Sequence, residues 1–412
     1  MIKVLHLISG GDNGGAKTHI FNLMKGLEGK VDAKIICFTK TEFYDEAVER
    51  GIDIEVFYQE KRSDLSVVSK IRDLIINENY DLVHAHGARA NFICMFLKNK
   101  IDIPMLTTIH SDYKLDFKDS FYKNLIFTSL NKLALKKFDY YICVSDTFKR
   151  MLIKRSFKRR NIYVLYNGID TEEKIDYLPK ASFFEKYKIN YNGELVVGIV
   201  ARLDKVKDHE TFVKACKETL NKNTDIIFLI AGGGPEKTRI EELLKEYEIE
   251  NKVHLLGFVK DKYSLFNAMD VNVLTSISES FPYVILEAAL LKVPTLATRV
   301  GGIPKIVIDE KTGFLFEVGD SKKLSESILK IYNDRKLLED LGENINSFVK
   351  SDYSHKAMGE KQFEIYKDIL NKTNPQENNK TEWSYEKNCS IRILWLWQFR
   401  RWCHLKSYGR WF

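Results

Sequence analysis

The sequence predicts an α/β protein of two tandem, doubly wound parallel sheets with a deep cleft between them. Three observations predict it. Short apolar runs rich in β-branched residues alternate with longer amphipathic ones, the pattern of parallel strands covered on both faces by helices. The alternation runs once through the first part of the chain and then restarts, which makes two sheets rather than one. The length, 412 residues, suits two or three domains at roughly 100–200 residues each.

In the first series the candidate strands are Lys3–Ile8, Ala33–Phe38, Leu82–Ala85, Pro104–Ile109 and Tyr140–Val144. In the second they are Leu195–Val200, Ile226–Ala231, Val253–Leu256, Val271–Leu274 and Pro294–Ala297. Amphipathic stretches such as Leu65–Asn77, His209–Asn221 and Glu236–Tyr247 are the expected covering helices. Asn167-Gly168 is a turn signal that closes the first series, and Thr171–Asn192 is polar without strand periodicity. The expected domains are therefore residues 1–175 and 190–350. A helix at about Ser354–Asn371 follows them, and then a tail at 372–412.

The tail differs in composition from everything before it. All five tryptophans, Trp383, Trp395, Trp397, Trp402 and Trp411, fall there, and no acid follows Glu386. Tryptophan mixed with arginine suits a membrane interface. A poorly ordered end without function accounts for the abrupt shift more simply.

Bulk properties exclude several classes. Hydrophobic residues make up 44% and charged residues 29%, ordinary for a globular protein. The net charge of +7 is too modest to point to nucleic acid, and none is expected as a partner. None of the six cysteines stands in a CxxC pair or at zinc-ligand spacing, so they read as reduced core residues. Met1–Ile8 runs straight into a strand without the features of a signal peptide, and no apolar run reaches 18 residues. The expected location is the cytoplasm.

Glycine turns follow several strands. Gly10-Gly11-Asp12-Asn13-Gly14-Gly15-Ala16 opens a helix, where glycines let backbone amides approach an anion at the helix N-terminus. A glycine turn needed for chain geometry alone is an equally good account. Gly11–Thr18, GDNGGAKT, comes close to a P-loop, but Ala16 stands where its second glycine belongs. A P-loop enzyme would hydrolyse Mg-ATP through Lys17. Ala231-Gly232-Gly233-Gly234-Pro235-Glu236 is a second strand-to-helix turn, with Gly233 at its centre.

Arg202 and Lys207 lie just past the strand Leu195–Val200. Cations at the carboxyl end of a parallel strand are placed to clamp a diphosphate; a solvated charged loop is the plain alternative. The most specific stretch is Glu279-Ser280-Phe281-Pro282-Tyr283-Val284-Ile285-Leu286-Glu287-Ala288. Pro282 suits the first turn of a helix whose free amides face a phosphate. Glu279 stands before that helix and Glu287 within it, where carboxylates can accept hydrogen bonds from sugar and ribose hydroxyls. Gly301-Gly302 adds a flexible turn at the next strand end.

Taken in order, these motifs resemble retaining glycosyltransferase family 4 over roughly residues 2–370. Glu279 and Glu287 match its Glu-x7-Glu motif, and ESFPYVILEAALLKVPTLATRVGG looks like its longest shared stretch. Arg202 and Lys207 match its Arg-Leu…Lys element, and Asn167-Gly168-Ile169-Asp170 its Asn-Gly-Ile-Asp turn. Gly14-Gly15-Ala16 and Thr108-Ile109-His110 match as well.

The resemblance implies the GT-B fold: two Rossmann-like domains, the first holding the acceptor and the second a nucleotide-sugar donor. The helix at 354–371 would pack back on the first domain. Arg202 and Lys207 would bind the donor diphosphate, Glu287 the ribose and Glu279 the transferred sugar. Ser280, Phe281, Pro282, Tyr283, Val284, Gly233 and the Gly14-Gly15 loop would line the donor pocket, with His110 facing the sugar. Alone, His110 would read as a satisfied histidine at a strand end.

The implied reaction retains anomeric configuration, needs no enzyme nucleophile, and uses a UDP-sugar in preference to a GDP-sugar. No metal or other cofactor is expected, and the sequence has no Asp-x-Asp. The acceptor would be a glycan or a lipid-linked intermediate in polysaccharide or glycolipid synthesis. Two positions depart from the pattern: Ala201 replaces a frequent Gly, and Lys305 a frequent Glu, which reverses a charge near the donor pocket.

Lys149, Arg150, Lys154, Arg155, Lys158, Arg159 and Arg160 alternate with Phe148, Met151, Leu152, Ile153 and Phe157. Such a basic amphipathic stretch, Lys149–Arg160, can dock peripherally on the anionic inner face of the cell membrane; a solvated basic surface is the rival. A sugar-nucleotide epimerase and a non-catalytic sugar-nucleotide-binding protein are the alternative functions on the same fold. The epimerase would need further acid/base carboxylates that the sequence does not identify.

Overall fold

A computed structural model describes residues 1–11, 14–61, 64–110, 112 and 130–373. Two parallel sheets carry the architecture. The first has seven strands in the order β3-β2-β1-β4-β5-β6-β7. They are β1 (Ile2–Ile8), β2 (Val31–Cys37), β3 (Ile54–Val56), β4 (Leu82–His86), β5 (Met105–Ile109), β6 (Tyr140–Cys143) and β7 (Ile162–Val164). The second has six strands in the order β10-β9-β8-β11-β12-β13. They are β8 (Leu195–Val200), β9 (Ile226–Ala231), β10 (Val253–Gly257), β11 (Val271–Leu274), β12 (Thr295–Thr298) and β13 (Gly313–Phe316).

Strand order reverses between β1 and β4 in the first sheet and between β8 and β11 in the second. At such a point the flanking loops leave in opposite directions and open a crevice at the carboxyl ends of the strands.

The core explains the strand composition. Leu5, Leu7, Val83 and Ala85 are fully buried against Val67, Val68 and Ile71 of the helix Ser66–Glu78. Val197, Ile199, Phe228 and Ile230 meet Phe212 and Val213 of the helix His209–Leu220 in the same way. Strands apolar on both faces read as unbroken runs, and so were visible in the sequence. The strands β3, β7 and β13 were not expected. The first two have three residues each, too few to show a period, and β13 is four residues beginning with Gly313.

The chain passes between the sheets twice, side by side. The Ile169 amide donates to the Tyr353 carbonyl at 2.8 Å, and the His355 amide to the Ile169 carbonyl at 2.7 Å. A Cβ on Gly168 would lie 2.6 Å from the Ser354 carbonyl oxygen, so only glycine permits this contact. The helix His355–Thr373 then lies on the first sheet. Its Met358, Ile365, Tyr366 and Ile369 are buried with Val4, Leu23, Leu82 and Leu106. Gly359 touches Gly26 of the helix Gly15–Leu27 backbone to backbone; a Cβ on Gly359 would stand 2.0 Å from the Gly26 carbonyl oxygen. The Trp/Arg-rich stretch from residue 374 on lies outside the described residues.

Candidate functional site

The sequence-selected residues lie on segments that leave the carboxyl ends of strands, after β1 and β5 in the first sheet and after β8, β9 and β11 in the second. At the second sheet, Arg202 follows β8 and is largely exposed, held at 2.8 Å by Asp204. Asp204 also accepts from the Val206 and Lys207 amides at 3.2 and 3.3 Å, which fixes the short turn Lys205–Lys207. That turn aims Lys207 at Glu279, Nζ to Oε1 2.5 Å, with Ser276 Oγ donating to the same oxygen at 2.7 Å. The sequence put both groups in the donor pocket, and the fold joins them into one mostly buried pair.

Glu279 is positioned by backbone as well as by charge. Gly301 adopts φ +56°, and a Cβ there would lie 1.6 Å from the Glu279 carbonyl oxygen. The Gly302 amide donates to the Ser280 carbonyl at 2.8 Å. The helix that follows is Tyr283–Leu290, and Pro282 stands just before it rather than in its first turn. Its extended backbone there, φ −76° and ψ 126°, suits the fixed proline ring and leaves the helix amides free. Phe281 and Tyr283 are buried, and Ser280 and Val284 half-buried beside them. Phe281 packs on Tyr166 and Tyr353 at 5.0 and 5.2 Å between ring centres.

Glu287 is engaged by Lys262, Nζ to Oε1 2.6 Å. Lys262 begins the helix Lys262–Ala268 and was not expected at the site. In the triple-glycine turn, added Cβ atoms on Gly232 and Gly234 would lie 1.9 and 2.3 Å from the Ala201 and Leu203 carbonyl oxygens. Gly233 has nothing within 4 Å. The outer two glycines therefore serve packing, and Gly233 presents open backbone.

At the first sheet, the Gly14-Gly15 loop starts the helix Gly15–Leu27 with Gly14 at φ +67°. Gly15 lies against Tyr283 of the second domain; its Cβ would be 3.7 Å from the ring. Lys17 bonds Glu46 at 2.6 Å instead of turning back over the loop as a P-loop lysine would. Asn167 spans the crevice. Its Nδ2 donates to the Phe281 carbonyl at 2.8 Å, and its Oδ1 accepts from His19 Nδ1 at 2.9 Å.

His110 ends β5 within a group of imidazoles that the sequence reading passed over. His19 and His86 lie beside it, 4.7 and 6.0 Å away between ring centres, and His6 and His84 lie against His86; all four are buried. Burial lowers every one of these pKa values, to about 4 for His19 and about 3 for His6, and well below the usual value for His84, His86 and His110. Neighbouring imidazoles lower four of the five further, and only the Asn167 bond pulls His19 back up. The signal was present: His84-Ala85-His86 puts two imidazoles on one face of a strand, and His6 is in register with His84.

Lys305, the reversed charge, reaches Asp146 of the first domain at 3.8 Å, and Tyr166 donates to the same carboxylate at 2.5 Å. The basic amphipathic stretch divides between the core and the surface. In the stretch Lys149–Arg160, Leu152 and Phe157 are buried in the first core, and Phe148, Met151 and Ile153 pack against it. The apolar face meant for a membrane is spent on the fold. Exposed Arg150, Lys154, Lys158, Arg159 and Arg160 remain as a basic surface. Among the described residues, no helix is long and apolar enough to cross a membrane.

Models of two known families match in tandem, one to each half. Glycosyltransferase Family 4 matches residues 13–173, and Glycosyl transferases group 1 matches residues 181–348. The chain belongs to the family 4 glycosyltransferases.

Relatives of this glycosyltransferase agree with the assignment. It is 29% identical to the N-acetyl-alpha-D-glucosaminyl L-malate synthase of Bacillus anthracis, over 74% of this chain and 80% of that one. It is 29% identical to the Staphylococcus aureus capsular polysaccharide biosynthesis glycosyltransferase CapM, over 60% and 67%. It is 25% identical to an Escherichia coli UDP-Gal:alpha-D-GlcNAc-diphosphoundecaprenol alpha-1,3-galactosyltransferase, over 74% and 80%. The GT-B fold is shared with Anabaena HepE, solved with UDP and with UDP-glucose, at a TM-score of 0.74 and 21% identity, covering 89% of this chain and all of that one.

Proposed function

We propose that this glycosyltransferase moves a sugar from a UDP-sugar to a glycan or lipid-linked acceptor with retention of anomeric configuration and without a metal. The observation that carries this reading is the Lys207–Glu279 pair beside Arg202 at the second crevice, across from His110 at the first. Arg202 and Lys207 would neutralise the diphosphate, the place a divalent cation would otherwise fill. Glu279 would accept from the sugar hydroxyls, and Glu287 from the ribose once Lys262 yields it. Gly14, Gly15, Gly233 and the amides leading into the helix Tyr283–Leu290 would line the phosphates and sugar, and His110 would face the sugar.

In the reaction, the acceptor hydroxyl attacks the anomeric carbon on the face that the diphosphate leaves. The carbon–oxygen bond to phosphate breaks, and the acceptor proton passes to the departing phosphate oxygen. Two relatives support a role in surface glycan synthesis: CapM by its part in capsular polysaccharide, the galactosyltransferase by its diphosphoundecaprenol-linked acceptor. HepE, solved with UDP and UDP-glucose, supports a uridine donor. The basic surface at Arg150–Arg160 would hold the enzyme electrostatically at the inner leaflet, and release by salt in flotation with anionic vesicles tests that part.

The central test is binding and turnover across UDP-, GDP- and ADP-sugars in EDTA, with the product anomer read by NMR, for wild type, Glu287→Ala and Arg202→Ala. Saturable UDP-sugar binding lost in both variants, with a retained anomer, is expected. An inverted product, or turnover that EDTA abolishes, sinks the mechanism. Absence of any sugar-nucleotide binding sinks the whole reading.

A further inference from the structure

The histidines at the first crevice divide into two sets. His84 is fully occupied: Nδ1 meets the Tyr366 hydroxyl and Nε2 the Thr108 hydroxyl, each at 2.7 Å. His6 is occupied too, with Nδ1 against His86 Nε2 at 3.1 Å and Nε2 3.4 Å from the Tyr366 hydroxyl. The second set is different. His19 Nε2, His86 Nδ1 and His110 Nε2 are buried and have no hydrogen-bond partner among the described residues. One nitrogen from each of these three rings lies within 4.8 Å of the other two.

A buried polar atom without a partner is costly, and three of them on rings that bring a nitrogen each within 4.8 Å of the others call for a common ligand. The tautomers limit what that ligand is. Asn167 Nδ2 donates to the Phe281 carbonyl, so its Oδ1 faces His19 and must accept. The His19 proton is therefore on Nδ1, and Nε2 presents a lone pair. A carbonyl holding the far nitrogen of an imidazole is the arrangement that orients metal-ligating histidines. His6, bonded to the far nitrogen of His86, does the same for the second ring.

We propose that His19, His86 and His110 form a three-imidazole site for a transition-metal cation of the zinc class. Three nitrogen ligands with an open fourth position suit such an ion, with bonds of about 2.0–2.1 Å. Nitrogens on a tetrahedral ion at that bond length stand roughly 3.3 Å apart, so small ring rotations from the 4.8 Å limit close the site. His110, the only one of the three rings that is not fully buried, would be the side from which the ion enters. The cation is not part of the transfer reaction; it holds His110 away from the sugar and so inhibits transfer. The inhibitory part rests on the role proposed above for His110, whereas binding does not.

Equilibrium dialysis with Zn²⁺ and visible absorption with Co²⁺, on the full chain, test the site directly. One ion per chain and the d–d bands of tetrahedral Co²⁺ are expected. His19→Gln and His86→Gln should each weaken binding at least about tenfold. Circular dichroism checks that both variants fold, and His110→Gln, at the crevice mouth, is a third variant that disturbs the core least. No stoichiometric binding, or binding unchanged in folded variants, overturns the proposal. Binding that leaves sugar transfer untouched overturns its inhibitory part. Failure of the transfer reading would show as absent turnover without changing the dialysis result.

Discussion

The carboxyl edges of the two sheets are built from opposite chemistry. The second sheet presents paired charges: Lys207 with Glu279, Lys262 with Glu287, and Arg202 with Asp204. The first presents five imidazoles, four of them buried and His110 partly so, all held towards the neutral form by desolvation. A charged edge suits a polyanionic nucleotide, because its cations already have carboxylate partners and need little reorganisation when phosphate replaces them. A neutral edge suits hydroxyls and lone-pair chemistry, because desolvated imidazole offers donors and acceptors without drawing the diphosphate to the wrong side. Asn167 ties the edges together by one bond to each.

The comparison breaks most sharply at Lys207. Lys207→Ala should lower kcat/KM about 10²–10³-fold, the usual loss for one group that stabilises leaving-group charge. A loss below tenfold would show that Arg202 alone carries the diphosphate. Gly301→Ala comes next. Its Cβ would meet the Glu279 carbonyl oxygen at 1.6 Å from a φ of +56°, so a destabilisation of about 3 kcal/mol is expected in urea unfolding. An unchanged midpoint would show that the loop carrying Glu279 yields freely.

The neutral edge should show itself in acid. Unfolded histidine titrates near 6.5, whereas folded His19 titrates near 4. Between those values the unfolded chain binds more protons, so stability is complete above pH 6.5 and falls as the pH drops towards 4. The loss from pH 7 to pH 5 should be about 2 kcal/mol from His19 alone. His19→Gln should flatten that slope in thermal melts, and a slope that persists unchanged assigns it elsewhere. The smallest effect belongs to Lys262, whose pair with Glu287 is partly exposed. Lys262→Met should free that carboxylate and tighten UDP-sugar binding by up to about fivefold, since such pairs contribute about 1 kcal/mol or less. Weaker binding in calorimetry would mean that Lys262 itself holds the donor.

Much of this was legible in the residues. Strands such as Leu195–Val200 and Ile226–Ala231 announced themselves because a strand buried on both faces is apolar at every position. Glu279, Glu287, Arg202 and Lys207 were legible because their motifs are local, each held within one loop or one helix. Lys262 was not: it lies 25 residues before Glu287 in sequence and meets it only when two helices of the second domain come together. The amphipathic look of Lys149–Arg160 is ambiguous for a related reason. Periodicity tells that a face is apolar, not what covers it, and here the core does.

By itself, then, the sequence determined the two parallel sheets and marked a turn at Asn167-Gly168 and the local motifs of the charged edge, since each depends on short-range pattern and backbone chemistry. Tertiary structure alone decided which charges pair, that Gly26 and Gly359 let the last helix close on the first sheet, and that histidines from β1, β4, β5 and the first helix converge. Those outcomes depend on chain segments up to 333 residues apart meeting at one place, and no local pattern encodes such a distance.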